Sequence, residues 1–348
     1  MGYAPAPDDD NVPKRRMPIW VNAGLFLLTL LSTTIAGAAW VGVNPYEITN
    51  WGHGITYAVL LMTFLSAHEF GHYIAARRHG VDASLPFFIP VPPMLLPFGT
   101  MGALIRLRSR IPTRAALFDI GVSGPLAGFV VCLFILVIGF QTLPPIDYLN
   151  AIHPEGLSSG GMYFGDTVLF SFMRNVFTSN SGTGFMPPMN EIYHYPFLCV
   201  GWFGLFVTAL NMLPFGQLDG GHVLYALTGR VQHVVGRVGW WLLFTMGFLS
   251  LLGEFGLFLA QPSPSGFVNA LQNSIGGPLL SAIHMAPWLF EFGTNWLLWA
   301  VLVRFLIGVY HPPIEDETPL SAGRQIVGWL SIIILVLSFS PNSVYFVQ

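Results

Sequence analysis

Charged side chains are scarce in this sequence. Only 14 Lys+Arg and 17 Asp+Glu occur in 348 residues, so 9% of the chain is charged, whereas soluble proteins average about 25%. Because a soluble domain of this length needs a polar surface, this scarcity excludes a soluble globular protein. Hydrophobic residues make up 53% of the chain, which excludes a disordered one. What remains is a polytopic membrane protein.

Lysine and cysteine are almost absent. Lys14 is the only lysine and the net charge is -3, so the chain has no basic footprint for nucleic acid, and nucleic acid is excluded as a partner. The two cysteines, Cys132 and Cys199, both fall inside apolar runs. They predict neither a disulfide framework nor a CxxC metal pair, and they do not indicate a redox compartment.

Long apolar runs follow one another along the chain. A membrane-crossing helix needs about 20 mostly apolar residues. Seven runs approach that length, near residues 18–43, 53–76, 114–140, 195–215, 238–260, 286–309 and 326–346. The further stretch 265–285 is interrupted by Gly276, Gly277 and Pro278, which predicts a loop or a re-entrant piece. We expect an all-α polytopic membrane protein with about seven transmembrane helices, and with six to eight as the range.

The basic residues predict how these spans are oriented. With the N-terminal tail in the cytosol, every Lys and Arg except Arg174 falls in or beside a cytosolic segment. Since cytosolic loops carry an excess of Lys and Arg, the sequence predicts a cytosolic segment 77–113 and an outside loop 141–194. We expect a multi-pass protein in contact with the lipid bilayer, with a cytosolic N-terminus, in a bacterial inner membrane.

The second apolar run contains an HExxH motif formed by His68, Glu69 and His72. Four residues make about one helical turn, so the two histidines project from one face and can share one Zn²⁺. Glu69 can then act as the general base towards water held by the metal. The alternative is a structural polar cluster, but ionisable groups inside a span are costly and usually functional. The motif therefore predicts one catalytic Zn²⁺ per chain.

A catalytic zinc needs a third protein ligand besides the two histidines. The candidates in or near other spans are Asp119, Asp219, His222, Glu254 and Glu291. The predicted topology places HExxH and Asp219 towards the cytosolic side, and Asp119 and His222 at suitable depths as well. Glu254 and Glu291 fall towards the opposite face. The residues alone therefore leave three candidates open.

Three further segments of the sequence resemble motifs of one protein family. The stretch 211–221 reads NMLPFGQLDGG and resembles the NxxPxxxLDGG motif of the site-2 protease family, which are intramembrane zinc metalloproteases with HExxH in an earlier span. The glycine-rich segments 98–103 and 121–128 also resemble elements of that family. The resemblance implies that Asp219 is the third zinc ligand. It also implies that Asn211 lines the active site, where its amide can hydrogen-bond a substrate carbonyl or developing oxyanion; the alternative for Asn211 is helix packing.

A small β-hairpin or re-entrant loop is expected between the second and third spans. Residues 103–110 alternate apolar side chains with arginines, which predicts a short strand. Gly102 precedes it and suits a turn or a close backbone approach. By family resemblance, Gly102, Ile105 and Leu107 lie at a sheet edge beside the zinc, where a substrate segment can add as a strand. The alternative is an amphipathic hairpin whose arginines contact lipid phosphates.

These observations divide the chain into four regions. They are a cytosolic tail at 1–17, a first transmembrane helix with an outside loop at 18–52, a catalytic membrane core with a three-helix centre at 53–230, and a C-terminal membrane region with about three further helices at 231–348.

The expected function is that of an intramembrane zinc endopeptidase. By resemblance, it cleaves a transmembrane or juxtamembrane segment of single-span membrane proteins in regulated intramembrane proteolysis. An upstream protease that makes a prior cut is a further expected partner. Two alternatives remain open: a membrane transporter or metal-permeation protein, which broken helices with His and Asp would suit, and an inactive relative that only binds helices.

Overall fold

The structure is a computed structural model, and it describes residues 17–157, 160–180, 185–316 and 318–347. The expected cytosolic tail, except for its last residue, lies outside the described residues. The helices are α1 (Ile19–Trp40), α2 (Ile55–Arg78), α3 (Arg114–Gln141), α4 (Ile146–Ile152), α5 (Val168–Asn180), α6 (Pro196–Asn211), α7 (Asp219–Thr228), α8 (Val231–Ala260), α9 (Gly266–Leu271), α10 (Gly277–Met285), α11 (Asn295–Leu302) and α12 (Ala322–Ser338). The strands are β1 (Phe87–Pro90), β2 (Thr100–Leu104), β3 (Gly161–Phe164) and β4 (Val344–Val347).

Helices α2, α3 and α6 pack against one another at the centre of the molecule. Their apolar side chains meet in one buried cluster, to which Phe64, Leu136 and Trp202 each contribute a fully buried side chain. Gly201 of α6 faces α3 so closely that a Cβ atom there would lie 2.3 Å from the side chain of Leu136. Small residues of this kind let membrane helices approach each other. Helices α2, α3 and α6 therefore form a tightly packed centre.

Each of the seven predicted apolar runs overlaps one helix, but these seven helices differ from one another in length. Three of them, Ile19–Trp40, Arg114–Gln141 and Val231–Ala260, are long and apolar enough to cross a membrane. The apolar helices Pro196–Asn211, Asn295–Ile307 and Ala322–Ser338 are shorter, and α2 carries the polar HExxH residues. The structure thus supports a largely helical membrane protein, while the count of seven spans stays a prediction.

Two expectations for the C-terminal region were wrong in detail. The loop expected at 265–285 is absent, because residues 266–285 form α9 and α10 joined by a π-helical turn at Gln272–Gly276; the alternative of a re-entrant piece stays a prediction. The helix tolerates Pro278 because it lies in the first turn of α10, where no backbone donor is needed. The run at 286–309 becomes regular only at Asn295, where α11 begins; a π-helical turn, Val303–Ile307, then continues it.

The expected hairpin between α2 and α3 is present, although the sequence predicted its strand at the wrong residues. Strand β2 ends at Leu104, earlier than the expected 103–110, and it pairs with β1 in an antiparallel sheet. Beyond it, the Arg106 amide donates to the Ser84 side chain and the Arg108 amide donates to the Asp82 carbonyl. The pairing therefore continues irregularly as far as an isolated bridge at Leu107.

A second strand pair lies at the opposite end of the molecule. Strand β3 from the loop 141–194 pairs with the C-terminal strand β4, which the expectation of an all-α fold missed. At the other end, Thr113 bridges to Asp316 and Arg110 contacts Glu315. The predicted cytosolic segment 77–113 and the predicted outside loop 141–194 therefore contact different parts of the C-terminal region. The side of the membrane that each end faces stays a prediction.

Candidate metal centre and active site

Three metal-binding side chains converge between α2 and the start of α7. The Nε2 atoms of His68 and His72 lie 3.1 Å apart, and Oδ2 of Asp219 lies 3.4 Å from the first and 3.3 Å from the second. An ion about 2.0–2.1 Å from tetrahedral ligands separates them by about 3.3–3.4 Å. The observed separations therefore fit Zn²⁺, with the fourth position left for water or substrate.

The surroundings of the two histidines also fit a metal. Nδ1 of His72 lies 2.7 Å from the carbonyl oxygen of Ile120. When Nδ1 donates to this carbonyl, the lone pair of Nε2 is directed at the site, which is the usual way a second contact orients a ligand histidine. Gly124 of α3 faces this ring, and a Cβ atom there would lie 2.1 Å from Nε2 of His72. Any larger residue at position 124 would collide with the His72 ring.

The break between α6 and α7 brings Asp219 to the histidines. Helix α6 ends at Asn211, and α7 begins at Asp219 after a turn that contains Pro214. A Cβ atom at Gly220 would lie 1.9 Å from the carbonyl oxygen of Met212. The glycines of LDGG therefore let the new helix start directly against the preceding turn. Irregular backbone at membrane depth is tolerated where it lines a cavity, and here it positions a ligand.

Glu69 lies beside the three ligands and is 7% exposed. Its carboxyl interacts with His72 and Asp219, and the Ile105 backbone lies next to it. The hairpin thus reaches the candidate base. The amides of Arg106 and Arg108 point towards residues 82–84, and backbone groups alternate between the two edges of a strand. The amides of Ile105 and Leu107 therefore point to the other edge, where the Ile105 amide faces the Glu69 carboxyl as a hydrogen-bond donor.

Asn211 is the last residue of α6 and lies at the metal centre. Its Nδ2 atom is 3.4 Å from Nε2 of His68. Gly102 lies within β2 with φ +96° and has no atom within 4 Å of the position a Cβ would take. Its amide donates to Oγ1 of Thr100 at 2.9 Å. The structure therefore brings Asn211 and the Ile105 backbone to the ligands, whereas Gly102 and Leu107 lie farther along the hairpin.

The rival third ligands do not join the described metal-binding group. Both carboxylate oxygens of Asp119 accept hydrogen bonds from Arg324, at 2.8 and 2.7 Å, and Oδ2 also lies 2.7 Å from Nε2 of His79. The Asp119 carboxylate is therefore bound by Arg324 and His79. Glu254 and Glu291 are not members of the group either.

His222 contacts a histidine whose role the sequence did not predict. Nδ1 of His222 lies 2.8 Å from Nε2 of His311. His311 is 3% exposed and its amide donates to Gln232. Burial lowers the pKa of His311, which favours a neutral ring. This pair braces the first turn of α7, three residues from Asp219.

Comparison with known proteins agrees with this geometry. The model of peptidase family M50 matches residues 56–252, which is more than half of the chain. The chain belongs to peptidase family M50, the site-2 protease family. The matched residues contain the HExxH helix, the hairpin and the LDGG helix. No solved structure matches the chain significantly.

The M50 chain is similar to plant proteins with longer sequences. "Probable zinc metalloprotease EGY2, chloroplastic" of Oryza sativa subsp. indica is 29% identical over 177 residues, covering 51% of this chain and 30% of the relative. EGY1 of Oryza sativa subsp. japonica is 33% identical over 181 residues, covering 51% and 28%. EGY3 of Arabidopsis thaliana is 25% identical over 301 residues, covering 81% and 42%.

The chain therefore spans less than half the length of these curated relatives. Their names place them in the chloroplast, so they lend no support to the expected bacterial inner membrane. The names do support zinc as the metal for an M50 chain with this ligand geometry.

Proposed function

We propose that this chain is an intramembrane zinc endopeptidase. The observation that carries the proposal is the convergence of His68, His72 and Asp219 at zinc-ligand spacing with Glu69 beside them. When bound there, Zn²⁺ supplies a Lewis acid that polarises a carbonyl and lowers the pKa of water. Glu69 is placed to take a proton from the attacking water and to pass it to the leaving nitrogen. The peptide C–N bond breaks and one water molecule is consumed.

Asn211 and the hairpin are placed to hold the substrate. The Asn211 side-chain amide can donate to the substrate carbonyl oxygen as negative charge develops on it. The outward carbonyl of Ile105 and the outward amide of Leu107 can pair with an extended substrate backbone by strand addition, while the Ile105 amide faces Glu69. Such pairing matters because the carbonyls of a spanning helix are held in i→i−4 bonds, and unwinding the helix in lipid costs several kcal/mol.

The proposed substrate is a single-span membrane protein cut near the end of its span. His72 lies six residues before the end of α2 at Arg78, so the site is about 9 Å from that end at 1.5 Å per residue. This end carries the basic segment 77–113, which is why we assign it to the cytosol. Substrates with Gly, Pro or Asn near the cut should unwind at lower cost and should be cleaved faster than poly-Leu versions.

The broken α6–α7 connection would also suit a transporter, and an inactive helix-binding relative would share the fold. An experiment in liposomes separates the three functions. The purified chain is reconstituted with a tagged single-span protein that has Gly and Pro near its cytosolic end, and a zinc-sensitive dye is enclosed. An endopeptidase releases a tagged fragment while the dye stays silent. A dye response without a fragment would identify a transporter. The absence of both signals would identify an inactive binder.

A further inference from the structure

A second group of metal-binding side chains lies in the loop between α3 and α6. His153 follows the end of α4, and Glu191 and His194 lie shortly before α6. Nε2 of His153 is 3.1 Å from Oε2 of Glu191 and 3.2 Å from Nε2 of His194. Nε2 of His194 is 3.4 Å from the same carboxylate oxygen. These three separations nearly repeat those of 3.1, 3.3 and 3.4 Å at the first centre.

The group is built into the fold. The side chains of Glu191 and His194 are 4% and 3% exposed, and that of His153 is 30% exposed. The Tyr148 hydroxyl donates to the carbonyl oxygen of His194 at 3.0 Å. The Asn190 amide lies 3.5 Å from Oε1 of Glu191, so it is the other carboxylate oxygen, Oε2, that faces both imidazole rings. Burying a carboxylate with two imidazoles is costly unless their charges and lone pairs find partners.

The three ligand atoms leave room for one ion between them. Nε2 of His153, Nε2 of His194 and Oε2 of Glu191 lie 3.1–3.4 Å from one another, as do the ligands of a tetrahedral ion about 2.0–2.1 Å away. A cation at the centre gives the buried Glu191 carboxylate a compensating charge.

We propose that His153, Glu191 and His194 bind a second Zn²⁺ ion. Two imidazole nitrogens and one carboxylate oxygen form a known ligand set for Zn²⁺. The ring of His153 is partly exposed, so the fourth coordination position of the ion would face solvent. The ion joins the end of α4 to the segment that leads into α6, so it clamps the loop 141–194 onto the helical core.

The two centres are separate. Helix α6 runs from Pro196, close to the second group, to Asn211 at the first. Its 16 residues correspond to about 22–24 Å at 1.5 Å per residue. The second ion therefore adds to the one catalytic zinc that the sequence predicted, and a chain with both sites filled holds two.

Metal counting on the full chain tests this proposal. The protein is purified with a tag that contains no histidine, dialysed against metal-free buffer, and analysed for zinc per chain. We expect about two zinc ions in the wild type, one in His153→Ala and one in Asp219→Ala. We expect none in the double variant. His53→Ala is the matched control, because His53 is an exposed histidine just before α2 and its loss should leave two.

The wild-type count needs no variant to fold, and about two zinc ions per chain support the second site. One zinc per chain that His153→Ala retains and Asp219→Ala removes would overturn the second site and leave the proposed protease function intact. A zinc X-ray absorption spectrum gives a second readout: nitrogen and oxygen neighbours in both single variants support the proposal. Absence of a zinc signal from Asp219→Ala, in protein that remains folded by circular dichroism, would overturn it.

Discussion

The residues that the structure describes contain two groups of two histidines and one carboxylate, and their surroundings differ. His68, His72 and Asp219 are held by regular helices at the buried centre, with Glu69 and Asn211 beside them. His153, Glu191 and His194 have nearly the same spacing but come from a loop and a helix end. Around them the described contacts are with Tyr148, Asn190 and aromatic rings.

The comparison teaches that ligand geometry alone does not make a reaction centre. A hydrolytic site also needs a base, a donor for the developing charge and a place for the substrate backbone. Only the first group has Glu69, the Asn211 amide and the outward edge at Ile105 close by. The second group therefore resembles it in metal binding and differs from it in chemistry.

The largest expected effect is on cleavage, which should depend on the first group and not on the second. Asp219→Ala should abolish cleavage of a tagged single-span substrate because it removes a zinc ligand, while His153→Ala should keep activity within about twofold. Asp119→Ala is the matched control, because this carboxylate is bound by Arg324 and should leave both zinc content and cleavage in place. Loss of zinc from Asp119→Ala with retention in Asp219→Ala would show that the ligand assignment is wrong.

The next effect concerns the amide beside the first group. Asn211→Ala should lower cleavage by about 100-fold, as loss of an oxyanion donor does, and should leave the zinc content unchanged. Thr208→Val, one turn earlier on α6, removes a hydroxyl that bonds only within the helix and controls for packing. Equal losses in both variants would mean that Asn211 acts in packing.

Much of the first group could be predicted from the sequence because its signals are local. HExxH fixes His68 and His72 on one helical face through the spacing alone, and the NxxPxxxLDGG resemblance supplied Asp219 and Asn211. Elimination among residues left Asp119 open, because its bonds to Arg324 join positions far apart in the chain. The second group lacks any spacing motif, since His153 lies 41 residues from His194.

The fold shows the same division between local and distant signals. Apolar runs identified the helices, but Gly276 and Gly277 suggested a break that the π-helical turn absorbs. The pairing of β3 with β4 joins a loop to the C-terminus, and short segments so far apart carry no mutual pattern. The alternating arginines after Gly102 indicated extended chain, while the strand itself ends at Leu104.

A smaller effect tests the substrate edge that the second group lacks. Leu107→Pro removes an outward amide and should lower cleavage roughly fivefold, since one hydrogen bond is worth about 1 kcal/mol. Leu107→Val keeps the amide and should cleave normally. Zinc content should be the same in both variants. Full activity of Leu107→Pro would show that strand pairing at this edge plays no part.

The smallest effect concerns stability at the second group. His153→Ala should lower the midpoint of thermal unfolding by a few degrees, because a bound ion stabilises only the folded state. Added zinc should raise the midpoint of the wild type more than that of the variant. Identical responses of the two proteins to zinc would contradict a structural role for this ion.

The most direct test of the central claim compares the wild type with Glu69→Gln in one preparation series. Zinc per chain and cleavage of the tagged single-span substrate are measured on the same samples. The account predicts equal zinc content and a loss of cleavage of at least about 100-fold in Glu69→Gln, because a missing general base costs that much. Equal cleavage by both proteins at equal zinc content would contradict it.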